Sequence, residues 1–211
     1  MSLAVCIVGC GSYARTVMDD IYDMGEGLEF FFASRDVDKA RDYCEVYDGI
    51  DFFGSYEDAV SDSRVQALYF FTPHDVHLDN VQMAARNGKH VLLEKPIART
   101  ITEAKELVGV AHNAGIKLMI AENFRFLPAV NKAREMLWSG IIGKLRLIEV
   151  RREGYDPVSG GWRSSKSRNG GGRLIDGGVH YIDVVLNIAG FPERLYAVVE
   201  EPKVIPDHEG E

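Results

Sequence analysis

The sequence predicts an α/β protein built on a doubly wound parallel sheet. Three observations carry that reading. Short apolar runs occur without alternation, segments with apolar residues at helical spacing lie between them, and the connections are brief. Runs of this kind suit strands buried on both faces. Strands that alternate with helices imply right-handed crossovers.

Taken in order, Leu3–Val8 is the first strand, followed at once by Gly9-Cys10-Gly11-Ser12-Tyr13-Ala14. A helix comes next, with Ala14, Val17, Met18 and Ile21 sharing one face. Leu28–Ala33 is the second strand and runs into Ser34-Arg35-Asp36; the helix Val37–Val46 follows. Residues 50–53 form a short strand, and Ser55 is placed to cap a short helix to about residue 60. Residues 65–71 form a strand that stops at Thr72-Pro73. Asp75 is expected to cap a helix to residue 87, with Leu78, Val81, Ala84 and Ala85 facing inward. Residues 90–93 form the next strand. It ends because Pro96 cannot donate to a ladder and Glu94 and Lys95 are charged. Thr102 is expected to open a helix with Ala104, Leu107, Val108 and Ala111 on one face, and residues 117–121 form a sixth strand.

Near residue 122 the rhythm changes, which places a domain boundary there: residues 1–122, then 123–211. Pro128 starts a helix to about residue 139. Residues 145–155 alternate as a long strand, 156–173 form a Gly/Ser/Arg loop, 176–189 a helix and 195–200 a strand.

Composition removes several function classes. The chain has 211 residues, of which 46% are hydrophobic, so a packed core is expected. The net charge of -8 argues against nucleic acid or an anionic membrane as a partner. Cys6, Cys10 and Cys44 show no paired spacing, which fits a reduced cytoplasmic setting without disulfides or a zinc site. No apolar run reaches about 18 residues, so no transmembrane span is expected.

The glycine turn is the first chemical signal. In a strand–turn–helix setting, Gly9 permits a tight turn and Gly11 lets the backbone approach a pyrophosphate. Ala14 permits close helix–strand packing, and the helix N-terminus faces the anion. Ser12 and Tyr13 belong to the same turn. A dinucleotide is therefore the expected ligand. The end of the second strand reads Ser34-Arg35 where an acid for the ribose 2′-hydroxyl commonly stands. A hydroxyl followed by a guanidinium suits a 2′-phosphate, so NADP is preferred over NAD. The other reading makes Arg35 a solvated loop charge and gives the ribose to Asp36.

Lys95 stands at the carboxyl end of a buried strand, the sheet edge where ligands bind. Asp176 and His180, four apart, project from one side of a helix, and Asp183 and Asn187 extend the stripe. That stripe is either a solvated face or part of a site. Ile182, Val185, Leu186 and Ala189 are expected to face the core. Gly170-Gly171-Gly172 before the helix is an odd run unless backbone passes close to something. If Lys95 and the helix serve one reaction, Lys95 stabilises an alkoxide and His180 moves the hydroxyl proton. Asp176 orients His180 or binds a second hydroxyl. Thr72, Pro73, His77, Glu94 and Asn123 are candidates for contact with the cofactor, and His77 serves equally as a turn residue. Trp162 and Arg163 are candidates for a lid over it. Cys10 is not expected to act as a nucleophile.

These residues together resemble the glucose–fructose oxidoreductase / inositol dehydrogenase / rhizopine-catabolism oxidoreductase (Gfo/Idh/MocA) family. The resemblance runs in order through Gly9-x-Gly11-x-x-Ala14, Thr72-Pro73 with His77, and Gly88-Lys89-His90-Val91-Leu92-Leu93-Glu94-Lys95-Pro96. It continues through Glu122-Asn123-Phe124-Arg125-Phe126 with Pro128, Gly140-Ile141-Ile142-Gly143-Lys144, Trp162-Arg163, and Gly170 to His180 with Asp183. It implies an N-terminal Rossmann domain followed by an α/β domain with an open sheet, here incomplete because such chains usually run well past 300 residues. It implies NAD(P)-dependent oxidation or reduction of a sugar, cyclitol or related polyol. Lys95, Asp176 and His180 would be the catalytic residues, and the C-terminal sheet would mediate homo-oligomers. Two other outcomes stand beside it: cofactor binding without turnover, and transient oxidation that enables elimination or glycoside hydrolysis.

Overall fold

The computed structural model describes residues 2–24, 26–153 and 160–198. They divide into two compact units, 1–121 and 122–211.

The first unit carries six strands: β1 (Leu3–Val8), β2 (Leu28–Ala33), β3 (Asp51–Phe53), β4 (Ala67–Phe70), β5 (His90–Leu93) and β6 (Leu118–Ile120). All pair in parallel, in the order β3-β2-β1-β4-β5-β6. The chain leaves β1 to build one half of the sheet and returns beside β1 with β4 to build the other. The strand order therefore reverses between β1 and β4, and a crevice opens at their carboxyl ends.

Helices cover both faces, and strand alternation divides the core between them. Cys6, Val8, Phe31, Leu68, Phe70 and Leu93 point to one face. There they meet Ala59 and Val60 of α3 (Tyr56–Ser61), Val81 and Ala84 of α4 (His77–Arg86), and Leu107 and Ala111 of α5 (Ile101–Asn113). Ile7, Phe30, Phe32 and Tyr69 point to the other face. They pack on Ala14 and Met18 of α1 (Ser12–Ile21) and on Ala40 and Tyr43 of α2 (Val37–Val46). Phe31, Phe32, Phe70, Leu68 and Leu107 are fully buried. Each such side chain is worth about 1.5–3 kcal/mol of apolar burial.

Ser55 caps α3, its hydroxyl accepting from Asp58 N at 3.0 Å. Two expected helix starts are corrected. Asp75 lies inside a 3₁₀ turn, His74–Val76, and α4 begins after Val76 with no side-chain cap. Thr100, not Thr102, caps α5, with its hydroxyl accepting from Glu103 N at 3.1 Å. Glu103 reaches back to Arg99 N at 3.1 Å, which pulls the helix start upstream. Lys89 is buried beside the start of β4. Its ammonium donates to Asp62 O and Val65 O, both at 2.7 Å.

The second unit is helical among its described residues. It contains a 3₁₀ turn Asn123–Phe126, α6 (Pro128–Trp138), a 3₁₀ turn Gly161–Ser164 and α7 (Lys166–Asn169). A π turn Leu174–Gly178 then leads into α8 (Val179–Ala189). The strands expected at 145–155 and 195–200 show no ladder over their described residues, 145–153 and 195–198. Alternation alone cannot make a strand; each needs a neighbour for its backbone groups. Residues 154, 155, 199 and 200, the first part of the expected loop and the polar tail lie outside the described residues. No described helix is long and apolar enough to cross a membrane.

Candidate active site

The glycine turn sits at the switch point. Gly9 has φ +100°, and a Cβ there would stand 2.9 Å from Phe71 O, so only glycine fits against the exit of β4. Gly11 has open space where its Cβ would project. It precedes α1 with no side-chain cap and no acid in the first turn, leaving the N–H groups of that end available to an anion. Ala14 is buried against the sheet. These residues fit a dinucleotide: an open backbone approach meets an uncapped helix end at the crevice. Tyr43 of α2 fixes the turn by donating its hydroxyl to Gly11 O at 2.7 Å. The Arg15 guanidinium lies 4.6 Å over the Tyr43 ring and is paired with Asp42. Sequence reasoning missed Tyr43, because nothing local links it to a turn 32 residues earlier. Ser12 and Tyr13 are exposed at the start of α1, and Tyr13 edges Phe71 at 6.1 Å. Cys10 is buried, with its thiol pushed up to about 12 chiefly by burial, which fits a packing role.

Past β2, Ser34 is buried and its hydroxyl accepts from Asp36 N at 3.2 Å. Arg35 is exposed. Burial raises the Tyr56 pKa, and the Arg35 guanidinium beside that hydroxyl opposes the rise.

Three expected contacts turn inward instead. His77 is fully buried, with Nδ1 3.0 Å from Pro96 O and Nε2 3.1 Å from Thr72 O. It bridges the exit of β4 to the segment that carries Lys95. Burial lowers its pKa, against the pull of those carbonyls. The Thr72 hydroxyl is buried and accepts from Asn80 at 2.6 Å. Glu94 is buried and accepts from the Tyr69 hydroxyl at 2.8 Å; burial and that carboxylate raise the Tyr69 pKa. In all three the side chain is hydrogen-bonded within the first unit. Pro73 and Lys95 are partly buried, and the Lys95–Pro96 peptide is cis. Lys95 stands two residues beyond β5, on the same carboxyl edge as the glycine turn, with only β4 between β1 and β5.

In the second unit the stripe on α8 is engaged. His180 Nδ1 lies 2.6 Å from Glu122 Oε1, and the His180 ring stacks on Phe124 at 4.3 Å and 17°. Asp183 takes a fork from Arg125, with Nε to Oδ2 at 2.7 Å and Nη2 to Oδ1 at 2.6 Å, and the carboxylate raises the Arg125 pKa. Arg134 donates to Asn187 at 3.0 Å. The polar side of α8 is thus the packed side, and the solvated-face reading fails. Ile182 and Ala189, expected in the core, are exposed. Glu122 holds His180, and Asp176 lies 3.5 Å from Arg163. Arg163 covers the Trp162 ring at 4.5 Å, and Asn123 is exposed at the head of its turn. Of the three glycines, Gly170 ends α7 in the left-handed region at φ +94°. Gly171 faces Ile175, where a Cβ would stand at 2.6 Å.

Comparison with known proteins fits this geometry. A 34% identical relative over 158 residues is trans-1,2-dihydrobenzene-1,2-diol dehydrogenase of Xenopus laevis; the match covers 74% of this chain and 47% of the relative. The chain thus spans about half the length of the curated relatives it matches. Among solved structures, a 3-ketoreductase from Actinomadura kijaniata in complex with NADP and TDP-benzene superposes with TM-score 0.77 at 27% identity. That match covers 90% of this chain and 58% of the other. A levoglucosan dehydrogenase in complex with NADH and levoglucosan superposes with TM-score 0.78 at 25% identity, covering 90% and 55%. Residues 130–209 match the GFO/IDH/MocA C-terminal domain. Residues 3–122 match the model described as oxidoreductase family, NAD-binding Rossmann fold, and the chain belongs to this Gfo/Idh/MocA family.

Proposed function

We propose that the chain is an NAD(P)-dependent oxidoreductase acting on a secondary alcohol, or the corresponding ketone, of a sugar, cyclitol or related polyol. The observation that supports it most is the carboxyl edge of the sheet, where the open glycine turn and Lys95 stand two strands apart. When bound, the nicotinamide supplies the hydride acceptor or donor. The chain's residues manage the oxygen. As the substrate carbon loses hydride, the Lys95 ammonium stabilises the developing alkoxide, and His180 Nε2 takes the hydroxyl proton as the carbonyl forms. Asp176 binds a neighbouring hydroxyl. Gly9, Gly11, Ser12, Tyr13, Ala14, Ser34, Arg35, Pro73, Asn123, Trp162 and Arg163 form the proposed cofactor surface, with 1–122 as the nucleotide domain and 123–211 as the substrate domain. NADP is preferred because Arg35 is exposed beside Ser34 and can fork a 2′-phosphate.

Cofactor binding without turnover is the second reading, supported by the absence of any strand among the described residues of the second unit. A polyol and aldose panel with each cofactor separates the two, read by absorbance of the reduced nicotinamide. Net reduction in the unmodified chain, lost in Lys95→Ala with cofactor binding retained, is the expected result. Equal turnover in Lys95→Ala rejects its role. We also infer a cytoplasmic location from the free cysteines, and self-association through the second unit. Exposed Ile141, Leu147, Phe191 and Tyr196 support the latter, and sedimentation equilibrium tests it.

A further inference from the structure

We propose that Glu122 is the positioning residue of the site: it holds His180 in the tautomer that carries its proton on Nδ1, so that Nε2 presents a lone pair. The inference deepens the proposed function, since it rests on His180 as the group that moves the hydroxyl proton.

Glu122 follows β6 by two residues, and its side chain is 9% exposed. Its Oε1 accepts from Phe124 N at 3.2 Å and lies 2.6 Å from His180 Nδ1. An ionised carboxylate only accepts, so the nitrogen facing it must carry the proton. A neutral imidazole has one such proton, and Nε2 is left as the acceptor. The ring cannot turn over easily. One face lies on Phe124, nearly parallel, and Tyr181 packs on the same phenyl ring in a T-shaped arrangement at 5.8 Å and 89°. The Arg125–Asp183 fork ties the same two segments together one turn further along α8.

The second oxygen of Glu122, Oε2, is buried and has no hydrogen-bond partner among the described residues, so the hydrogen bonds of the carboxylate run through Oε1. Asp176, the alternative orienting group, lies 3.5 Å from Arg163. Glu122 therefore acts through His180 and not on the reacting atoms.

Long-range proton–nitrogen correlation spectra of the full chain, labelled at histidine nitrogens, test this directly. They are recorded along a rising pH series until the spectrum no longer changes, so that the neutral ring is read, with His180→Gln used to assign the signals. The expected result is a protonated Nδ1 and a bare Nε2 at His180, and in Glu122→Gln a shift of population towards the Nε2–H form. A proton on Nε2 in the unmodified protein overturns the inference, as does an unchanged pattern in a folded Glu122→Gln. If Glu122→Gln does not fold, Glu122→Asp, which keeps the charge but shortens the reach, is held to the same standard. In turnover, Glu122→Gln should lower kcat about tenfold to a hundredfold, part of what general acid–base catalysis supplies, with KM for cofactor and polyol within about twofold. A KM effect without a kcat effect overturns the positioning role. Full turnover in His180→Gln would instead reject the assignment of His180 while leaving the tautomer result standing, so the two failures are distinguishable.

Discussion

The two units are held together by opposite means. In the first, the central strands β1, β2 and β4 bury apolar side chains on both faces, and Phe31, Phe32, Phe70 and Leu107 are fully buried. In the second, the only described residues classed as buried are polar, Glu122 and Asn169. Its turn and helices are joined by side-chain hydrogen bonds: Glu122 to His180, Arg125 to Asp183, Arg134 to Asn187, and Trp138 Nε1 to the backbone Ile188 O at 3.2 Å. Apolar burial is non-directional and tolerates small adjustments, whereas charged pairs fix orientation. The first unit is therefore a platform, and the second is a set of aimed groups.

The contrast can be broken most forcefully at Phe70, on the fully buried face of β4. Phe70→Ala should cost about 3–5 kcal/mol in global unfolding by denaturant, because it removes burial and leaves a cavity; a loss under about 1 kcal/mol would contradict a tightly packed platform. Gly9→Ala comes next. It forces a side chain into φ +100° and against Phe71 O, so a cost of about 2 kcal/mol is expected, with cofactor binding lost in a titration. Binding at full affinity would remove the turn from the site. In the second unit, Asp183→Asn weakens the fork to Arg125. Arg125 remains half-exposed and can be hydrated, so the cost should be about 1 kcal/mol, seen as roughly fivefold faster hydrogen exchange along α8. Exchange that does not change would mean the pair is ornamental.

The smallest effect concerns pH. The His77 pKa is lowered by burial. Between the lowered value and the ordinary one near 6.5, the unfolded chain binds more protons than the folded chain. The stabilisation is thus complete above about 6.5 and is lost as pH falls through the folded value. Unfolding midpoints should decline on acidification across that window, and His77→Gln should flatten the decline. An undiminished slope in the variant would assign it to other groups.

The sequence made the platform legible because its signals are local. Apolar runs marked each strand of the sheet within a few residues, and the glycine turn named its own crevice. Helix starts were less secure: Asp75 and Thr102 have the right chemistry, but the 3₁₀ turn His74–Val76 and the reach of Glu103 to Arg99 N moved both starts. The second unit was legible in its residues and not in its pairings. His180 was visible as a candidate, but its partner Glu122 lies 58 residues earlier and gives no periodic signal. Tyr43 on Gly11 O was hidden for the same reason. Alternation at 145–153 misled because a strand is a property of two segments, and a pattern describes only one.

Lys89 has a practical consequence. Its amine is closed off by two carbonyls at the foot of the sheet. An acylating reagent that labels surface amines within seconds should reach this one only while β4 and β5 are parted. Its mass tag, read by peptide, would then time the opening of the nucleotide platform alone, with the helices beyond residue 122 leaving no trace in that peptide.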